Sequence, residues 1–212
     1  MATYQSGILG SFSGKVGPVV GSQWRGKSIL RSLPSPSTKA PSVAQQRQRE
    51  KFAFVLAFLN PLKALLMASF GDQVGHKSAF DRALSYHLKE ALTATATGFE
   101  MRYSKVLIGW GGLCGLAHPV VTPTQPNSLT LTWDDNSNQG FAYPEDSLVV
   151  VAYAPALRDF AFFIACSHRE LSQCNLEFPE RFQQQTVHLW ATFSNTDRHL
   201  SATSHYLGAM VL

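Results

Sequence analysis

The spacing of apolar residues changes along the chain and predicts strands in its first part. Up to about Leu33, valines and an isoleucine are interspersed with glycines, a pattern typical of short strands joined by tight turns. Gly26 lies between the segments VVGSQW and KSILRSL, where a two-residue turn needs glycine, and this arrangement predicts a hairpin. The next segment, PSPSTKAP, holds three prolines in eight residues and predicts an extended linker. Residues 1–41 are therefore predicted to form a β-arm or hairpin followed by a proline-rich linker.

From Ser42 the apolar residues recur every three or four positions, which predicts helices. Ser42 and Gln45 have the spacing of a capping box, a start signal for a helix. The residues predicted to form the buried face of this helix are Phe52, Val55, Leu56 and Leu59. Asn60-Pro61 predicts a kink or a second start, and Gly71 predicts the end of the helix that follows.

A third helix is predicted from Ser78 to about Thr97-Gly98. Its apolar residues recur at four-residue intervals, with two alanines beside them: Phe80, Leu84, Leu88 and Leu92, with Ala83 and Ala91. This spacing places the apolar side chains on one face of a helix. Residues 42–98 are therefore predicted to form a helical middle segment.

From Phe99 onward the apolar residues alternate with polar ones, as in half-buried strands. A strand is predicted at FEMRYSKVLI, and GWGGLCG is predicted to be a glycine-rich joint. Six further strands are predicted, separated by turn signals: SLTLTW, SLVVVAY, DFAFFIA, CNLEF, TVHLWATF and HYLGAMVL. Six or seven strands over residues 99–212 predict a β-sandwich domain.

One predicted strand, SLTLTWDDN, resembles the second strand of fibronectin type III-like domains. Leu129, Leu131 and Trp133 fall on one face of it, and two threonines fall on the other. The predicted fold class is therefore α+β. It combines an N-terminal β-arm or hairpin, a helical middle segment and a C-terminal all-β sandwich of the Ig-like or fibronectin III-like kind.

Composition narrows the class of protein. The chain has 212 residues, of which 45% are hydrophobic and 15% charged, so it is long enough to bury a core in one or two domains. The longest apolar stretch is interrupted by Asn60, Pro61 and Lys63, which argues against a membrane span. The N-terminus has no basic segment followed by an apolar one, so no secretory signal is predicted. A cytoplasmic or virion-associated location is predicted.

Three cysteines, an odd number, agree with a reducing compartment. Cys166 and Cys174 could pair in principle, but two buried free thiols are the favoured interpretation.

Charge is distributed unevenly along the chain. Residues 1–51 contain eight Lys or Arg and one Glu, a net charge of +7. Residues 118–212 contain four basic and nine acidic residues, a net charge of −5. The basic head and acidic tail can attract each other between copies, or the head can meet nucleic acid or another anionic surface.

The basic residues of the predicted hairpin are the candidate contact residues. Lys15, Arg25, Lys27 and Arg31 surround Trp24, a combination of cations for phosphates and a ring for base stacking. The alternative is a solvated hairpin face with Trp24 packed on the body of the protein. The same five residues are predicted to contact a neighbouring subunit if the arm serves assembly.

Motifs for phosphate and metal binding are incomplete. The segment GSQWRGKS matches the phosphate-loop pattern, but a strand-like run follows Lys27-Ser28 where that loop needs a helix. Asp134, Asn136, Asn138 and Glu145 have calcium-loop spacing, but Gln139 replaces the required glycine. A polar turn between strands is therefore the predicted structure there.

Pairs of Cys and His are also incomplete as zinc sites. Cys114 with His118 and Cys166 with His168 are the only close pairs, and Cys174 has no nearby histidine in the sequence. No set of residues fills the roles of nucleophile, base and oxyanion donor. The protein is therefore predicted to be non-enzymatic, with no cofactor and no metal.

Motifs along nearly the whole chain resemble an uncharacterised family of similar length from Bacteroidota. The matching segments are GILGSFSGKVGPVVGSQWRGKSILRSLP, AQQRQREKFAFVLAFLNPLK, YSKVLIGWGG, LTLTWDDNS and the closing YLG. The first segment also resembles proteins encoded in phages and prophages. Pro18 departs from that pattern and removes one backbone donor, which predicts a break in the strand at this point. The resemblance implies a β-arm, a helical middle, an Ig-like end and a virion or assembly role.

The function predicted from the sequence is that of a non-enzymatic structural protein that self-assembles. Its partner would be further copies of itself or a larger protein assembly, with the β-arm pairing to a sheet edge of a neighbouring subunit. Two alternatives are a nucleic-acid-binding protein that uses the basic head and an Ig-like adhesive binding module. No membrane partner is predicted.

Overall fold

A computed structural model describes residues 3–4, 10–24, 26–36, 39–71, 77–96 and 98–212. It combines three α-helices with antiparallel sheets, which confirms the predicted α+β class. Contacts divide the chain into two compact units, residues 1–47 and 48–212. This division differs from the three predicted segments because most of the helical residues and the C-terminal strands share one hydrophobic core.

The first unit contains a four-stranded antiparallel sheet, the N-terminal sheet, with strand order β1-β2-β3-β4. Its strands are Thr3–Tyr4 (β1), Phe12–Val16 (β2), Val19–Trp24 (β3) and Lys27–Ser32 (β4). The predicted hairpin is confirmed, because Trp24 pairs with Lys27 across the turn and Gly26 has a φ of 76°. Pro18 lies in the turn between β2 and β3, so its missing N–H interrupts no ladder.

The helices are Val43–Leu59 (α1), Lys63–Ser69 (α2) and Ala79–Glu90 (α3). The predicted capping box is confirmed: Gln45 N donates to Ser42 Oγ at 3.3 Å, and Ser42 N donates to Gln45 Oε1 at 3.0 Å. The chain turns by 82° between α1 and α2, where Asn60 and Pro61 lie. Gly71 follows α2 with a φ of 66°, a conformation that favours glycine and ends the helix.

The predicted buried face of α1 is partly wrong. Val55 and Leu59 are buried as expected, but Phe52 is exposed and Phe58 is buried in its place. The ring of Phe58 packs edge-on against Tyr153 at 5.1 Å, because the sheet of the second unit covers that side of the helix.

The predicted end of the third helix is wrong. α3 begins after Ser78, whose hydroxyl accepts from Asp81 N at 3.1 Å, but it ends at Glu90. Leu92–Ala94 (β5) then pairs with Phe99–Met101 (β6). The β-branched threonines of this segment favour a strand over a continued helix. Thr97 lies outside the described residues.

Among the described residues, no single helix has both the length and the apolar content needed to cross a membrane. α1 and α2 meet those two criteria only when they are joined across their bend.

Two antiparallel sheets form most of the second unit. Their strands are Ala117–Gln125 (β7), Ser128–Asp134 (β8), Ser147–Ala154 (β9), Asp159–His168 (β10), Gln173–Glu177 (β11), Thr186–Asn195 (β12), Leu200–Ser201 (β13) and His205–Val211 (β14). One sheet has the order β10-β9-β12-β13, with β14 also paired to β12, and the other has the order β11-β8-β7. The six predicted strands after the glycine-rich joint are therefore confirmed.

Between residues 99 and 125 the structure differs from the predicted strands at two places. In FEMRYSKVLI only Phe99–Met101 is a strand, and a 3-10 turn follows at Tyr103–Lys105. Side chains bind the backbone after that turn: Leu107 N donates to His87 Nε2 at 3.2 Å, and Ile108 N donates to Ser204 Oγ at 3.0 Å. Strand β7 was not predicted because it contains Pro119 and Pro123, and it lies at a sheet edge, where proline is tolerated.

The second unit has three layers. One core fills the space between the two sheets and includes Leu131, Trp133 and Leu189. A second core lies between the outer face of the larger sheet and the helices, and includes Leu59 and Trp190. Adjacent strand residues point to opposite faces, so Leu189 and Trp190 of β12 enter different cores. The central strands β9 and β12 of the larger sheet are buried on both faces, which explains the continuous apolar run in β9.

The predicted glycine-rich joint passes very close to the C-terminal part of the chain. A Cβ atom on Gly111 would lie 2.0 Å from the carbonyl oxygen of Ser201, and one on Gly109 would lie 2.9 Å from that of Ala202. Trp110 N donates to the Ser69 carbonyl at 2.8 Å. The glycines therefore let the joint run between α2 and β13 while its backbone is bound to both sides.

Candidate interaction surface on the N-terminal sheet

The strand register brings four of the five predicted contact residues to one face of the N-terminal sheet. Lys15 pairs with Val20, and Val20 pairs with Arg31; Trp24 pairs with Lys27. Residues that face each other across strands, and residues an even number apart along one strand, share a face. Lys15, Trp24, Lys27 and Arg31 therefore form a basic face. Arg25 lies outside the described residues.

The basic face is open to solvent. Lys15, Lys27 and Arg31 are exposed, and the ring of Trp24 is 57% exposed. More than half of the Trp24 surface is therefore accessible to solvent. In such an arrangement the cations can bind phosphates, and the exposed indole can stack on bases or on an aromatic side chain.

The opposite face of the same sheet carries apolar side chains. Val16 pairs with Val19, and Leu30, which is 66% exposed, pairs with Gly21. A Cβ atom on Gly21 would lie 2.7 Å from the Phe12 ring, so the glycine makes room for that ring. We call this side, with Val16, Val19 and Leu30, the apolar face.

Strand β4 forms one edge of the N-terminal sheet. In the part of the chain that the structure describes, β4 pairs on one side only, with β3. Leu33 N donates to the Pro18 carbonyl at 2.7 Å, which fixes the direction of alternate N–H groups along the strand. Ser28, Leu30 and Ser32 therefore direct their N–H groups away from β3. Such an edge is a template for a further strand.

The residues of the phosphate-loop and calcium-loop patterns, which are incomplete in the sequence, do not form a binding site together. Lys27 and Ser28 lie within β4 rather than at a helix start, so the context of a phosphate loop is missing. Asp134 contacts His118 Nδ1 at 2.8 Å, and Asn136 is buried and donates to the Gly115 carbonyl at 3.1 Å. Within the described ranges, no three His, Cys, Asp or Glu side chains are grouped as a metal site.

The cysteines have separate environments. Cys114 Sγ donates to Gln139 Oε1 at 3.5 Å, away from His118, whose partner is Asp134. Cys174 is buried and Cys166 half-buried, both as free thiols. A hydrogen bond to Cys174, together with burial, raises the pKa of Cys166, which keeps that thiol protonated and unreactive.

A buried ion pair in the second unit was not identified from the sequence. Arg169 and Asp146 have fully buried side chains, and Arg169 Nε and Nη2 donate to Asp146 Oδ2 at 3.1 and 2.9 Å. The other guanidinium hydrogen bonds reach Asn136 Oδ1 at 2.5 Å and the carbonyls of Cys114 at 2.8 Å and Gly115 at 3.4 Å. All five donors are used, so the pair supports the fold and has no donor left for a ligand. No local pattern distinguishes Arg169 from an exposed arginine.

A cleft in the second unit was also not identified from the sequence. Its volume is about 740 Å³, and it lies between the end of α2, helix α3 and the glycine-rich joint. Aromatic and basic side chains dominate its lining: Phe70, Lys77, Arg82, Tyr86, Lys89 and Trp110. These residues are distant in sequence, so only the folded chain brings them together.

Comparisons with known proteins identify a family and no activity. The search of curated proteins found no match to this chain. Among solved structures, a computationally redesigned β-sandwich protein is 14% identical, with a TM-score of 0.30 over 48% of this chain and 96% of that one. This likeness carries no functional inference. The model of a family of unknown function (DUF6266) matches residues 11–208, and the chain belongs to that family.

Proposed function

We propose that the protein is a non-enzymatic structural component that self-assembles through its N-terminal sheet. The observation that carries this proposal is the exposed edge of β4 next to an exposed apolar side chain, Leu30, at 66% exposure. Small sheets without a covered face are marginally stable in water, so a sheet with open edges and apolar side chains gains from a partner. A second copy of the chain would supply that partner.

Strand β10 is the edge that we propose receives β4 of another copy. It ends the order of the five-stranded sheet and carries exposed Phe162 and Ile164, the latter 59% exposed. One competing edge, β7, contains Pro119 and Pro123, which cannot donate to a new ladder. Charge supports this pairing, because residues 1–51 carry a net +7 and residues 118–212 a net −5.

Replacing Leu30 with proline is expected to lower the assembly state. The substitution removes one outward N–H of β4, which strand addition would use, and leaves the inward bonds to β3 in place. Size-exclusion chromatography with light scattering gives the mass of the wild type and of the variant. The wild type should be oligomeric, and the Leu30→Pro variant should have a smaller mass than the wild type at equal concentration.

Matched variants separate strand addition from a general loss of apolar surface. Leu30→Thr keeps the N–H and removes only the apolar side chain, so it should lower the mass less than Leu30→Pro does. On the receiving side, Ile164→Lys should reduce the mass, whereas Val120→Lys at an exposed position of β7 should not. A wild-type protein that is monomeric at its highest soluble concentration would exclude self-assembly.

Nucleic-acid binding is a second candidate function, favoured by the basic face. The register places three cations and an exposed indole on one side of a sheet, as in single-strand binding surfaces. If these cations and Arg25 neutralise about four phosphates of a single strand, log affinity should fall with log salt at a slope of about −3. Fluorescence anisotropy with a labelled single-stranded oligonucleotide measures this slope.

Charge reversal tests this second candidate. Changing Lys15, Lys27 and Arg31 to glutamate should abolish binding, while the same change at exposed Lys63, Lys105 and Arg158 should not. Binding that survives the first set, or no binding at low salt, excludes the basic face as a nucleic-acid site.

Several finer features stay predictions. They are the origin in Bacteroidota, the phage relationship, the cytoplasmic or virion-associated location, and the Ig-like or fibronectin III-like form of the sandwich with its adhesive role. The origin and the phage relationship rest on the sequence resemblance, and the location rests on the lack of a predicted secretory signal. The form of the sandwich rests on the strand pattern, together with the two sheets that enclose a core.

A further inference from the structure

We propose that the cleft beside Trp110 binds a small aromatic anion, a planar ring that carries a phosphate or a carboxylate. All the described residues that line the cleft belong to the second unit. Its volume of about 740 Å³ falls in the range of small-molecule sites. The inference goes beyond assembly and does not depend on it.

Three aromatic rings form a fixed wall of the cleft. Trp110 packs edge-to-face with Phe70 at 5.6 Å and with Tyr86 at 5.5 Å, yet the indole stays 48% exposed. Its backbone N–H is bound to the end of α2, as described above. The ring is therefore held in place before a ligand arrives, with surface left for stacking, and this reduces the entropy lost on binding.

Basic side chains surround this wall. Arg82 uses Nη2 to bond the Phe70 carbonyl, while its buried Nε has no hydrogen-bond partner among the described residues. Lys77 and Lys89 are exposed at the mouth, and Glu90 is the only acid that lines the described part of the cleft. The local charge therefore favours an anion, and the Arg82 guanidinium contributes to that charge.

The combination of ring wall and cations selects the ligand class. A purely apolar ligand would make no ion pair with the cations, and inorganic phosphate would leave the aromatic wall in contact with water. A ring with an attached anionic group uses both, because the ring can stack on Trp110 while the anion meets Arg82 and Lys89. Nucleoside monophosphates and aromatic carboxylates share this chemistry.

Isothermal titration of the full chain with AMP and with indole-3-acetate tests the proposal. At least one of them should bind with a Kd below about 1 mM, and adenosine and inorganic phosphate should each bind at least about tenfold more weakly than AMP if AMP is the ligand. A preference for AMP identifies a phosphate ligand, and a preference for indole-3-acetate identifies a carboxylate ligand.

Variants locate the binding to the cleft. Trp110→Ala should weaken it at least about fivefold through lost stacking, and Arg82→Gln at least about tenfold through a lost charged hydrogen bond. Arg82 also supports α2, so Lys89→Gln provides a second cation variant with an exposed side chain, and thermal unfolding shows that each variant is folded. Phe141→Ala and Lys105→Gln, exposed outside the cleft, should change nothing. The proposal is overturned if neither probe binds, or if Trp110→Ala and Lys89→Gln both bind like the wild type.

Discussion

Replacing Arg169 with alanine is expected to reduce the free energy of unfolding by about 3–5 kcal/mol. The substitution leaves the Asp146 carboxylate fully buried without its cation. The remaining donors to that carboxylate are Asn195 Nδ2 at 2.7 Å and Tyr143 N at 3.0 Å, which do not neutralise its charge. It also removes the guanidinium stacked 4.0 Å from the Phe193 ring. Urea denaturation of the wild type and the variant measures the loss.

An exposed ion pair in the same unit provides the control. Arg181 Nε lies 2.8 Å from Asp159 Oδ2, and both side chains are solvent-exposed. Arg181→Ala should therefore cost less than about 1 kcal/mol. The double variant Arg169→Met/Asp146→Leu should recover much of the loss, because it removes both charges. Equal losses for Arg169→Ala and Arg181→Ala would contradict a structural role for the buried pair.

Between pH 7 and pH 4, His87 is expected to lower the free energy of unfolding by about 3 kcal/mol. The ring is buried, with Nδ1 donating to the Ala83 carbonyl at 2.7 Å and Nε2 accepting from Leu107 N at 3.2 Å. Burial lowers the pKa of His87 from 6.5 to about 4. His87 therefore binds a proton at a lower pH in the folded state than in the unfolded state. The contribution is complete above pH 6.5 and is lost as the pH falls through about 4.

A glutamine variant isolates this contribution. Burial also lowers the pKa of His188. Protonation of His188 therefore also reduces the free energy of unfolding as the pH falls. The difference between the wild type and His87→Gln, measured by urea denaturation at pH 7 and pH 4, removes the contribution of His188. His205→Gln, at an exposed position, should behave like the wild type. If His87→Gln loses as much stability on acidification as the wild type, His87 is not the sensitive group.

Local signals were sufficient to predict most elements of the fold. Gly26 marks the hairpin, and Ser42 with Gln45 marks the start of α1, because turns and caps depend on residues a few positions apart. The segment after Met101 was mispredicted because side chains from distant positions, His87 and Ser204, bind its backbone. Alternation alone cannot reveal such partners.

The candidate sites also differ in how much of each could be predicted from the sequence. The residues of the basic face were visible as a cluster in the sequence, but only the register showed that Lys15 and Arg31 share a side with Trp24. Trp110 and Arg82 gave no signal, because a cleft depends on how helices and loops pack. The positions of Arg169 and His87 depend on long-range burial for the same reason.

The central position of β12 has a consequence for synthesis of the protein. This strand spans Thr186–Asn195, far along the chain from α1 and α2, yet it lies between β9 and β14 and contributes to both cores. A nascent chain therefore exposes the edge of β9 and the apolar sides of α1 and α2 until β12 has left the ribosome. Such high contact order slows folding and makes the unfinished chain a substrate for chaperones.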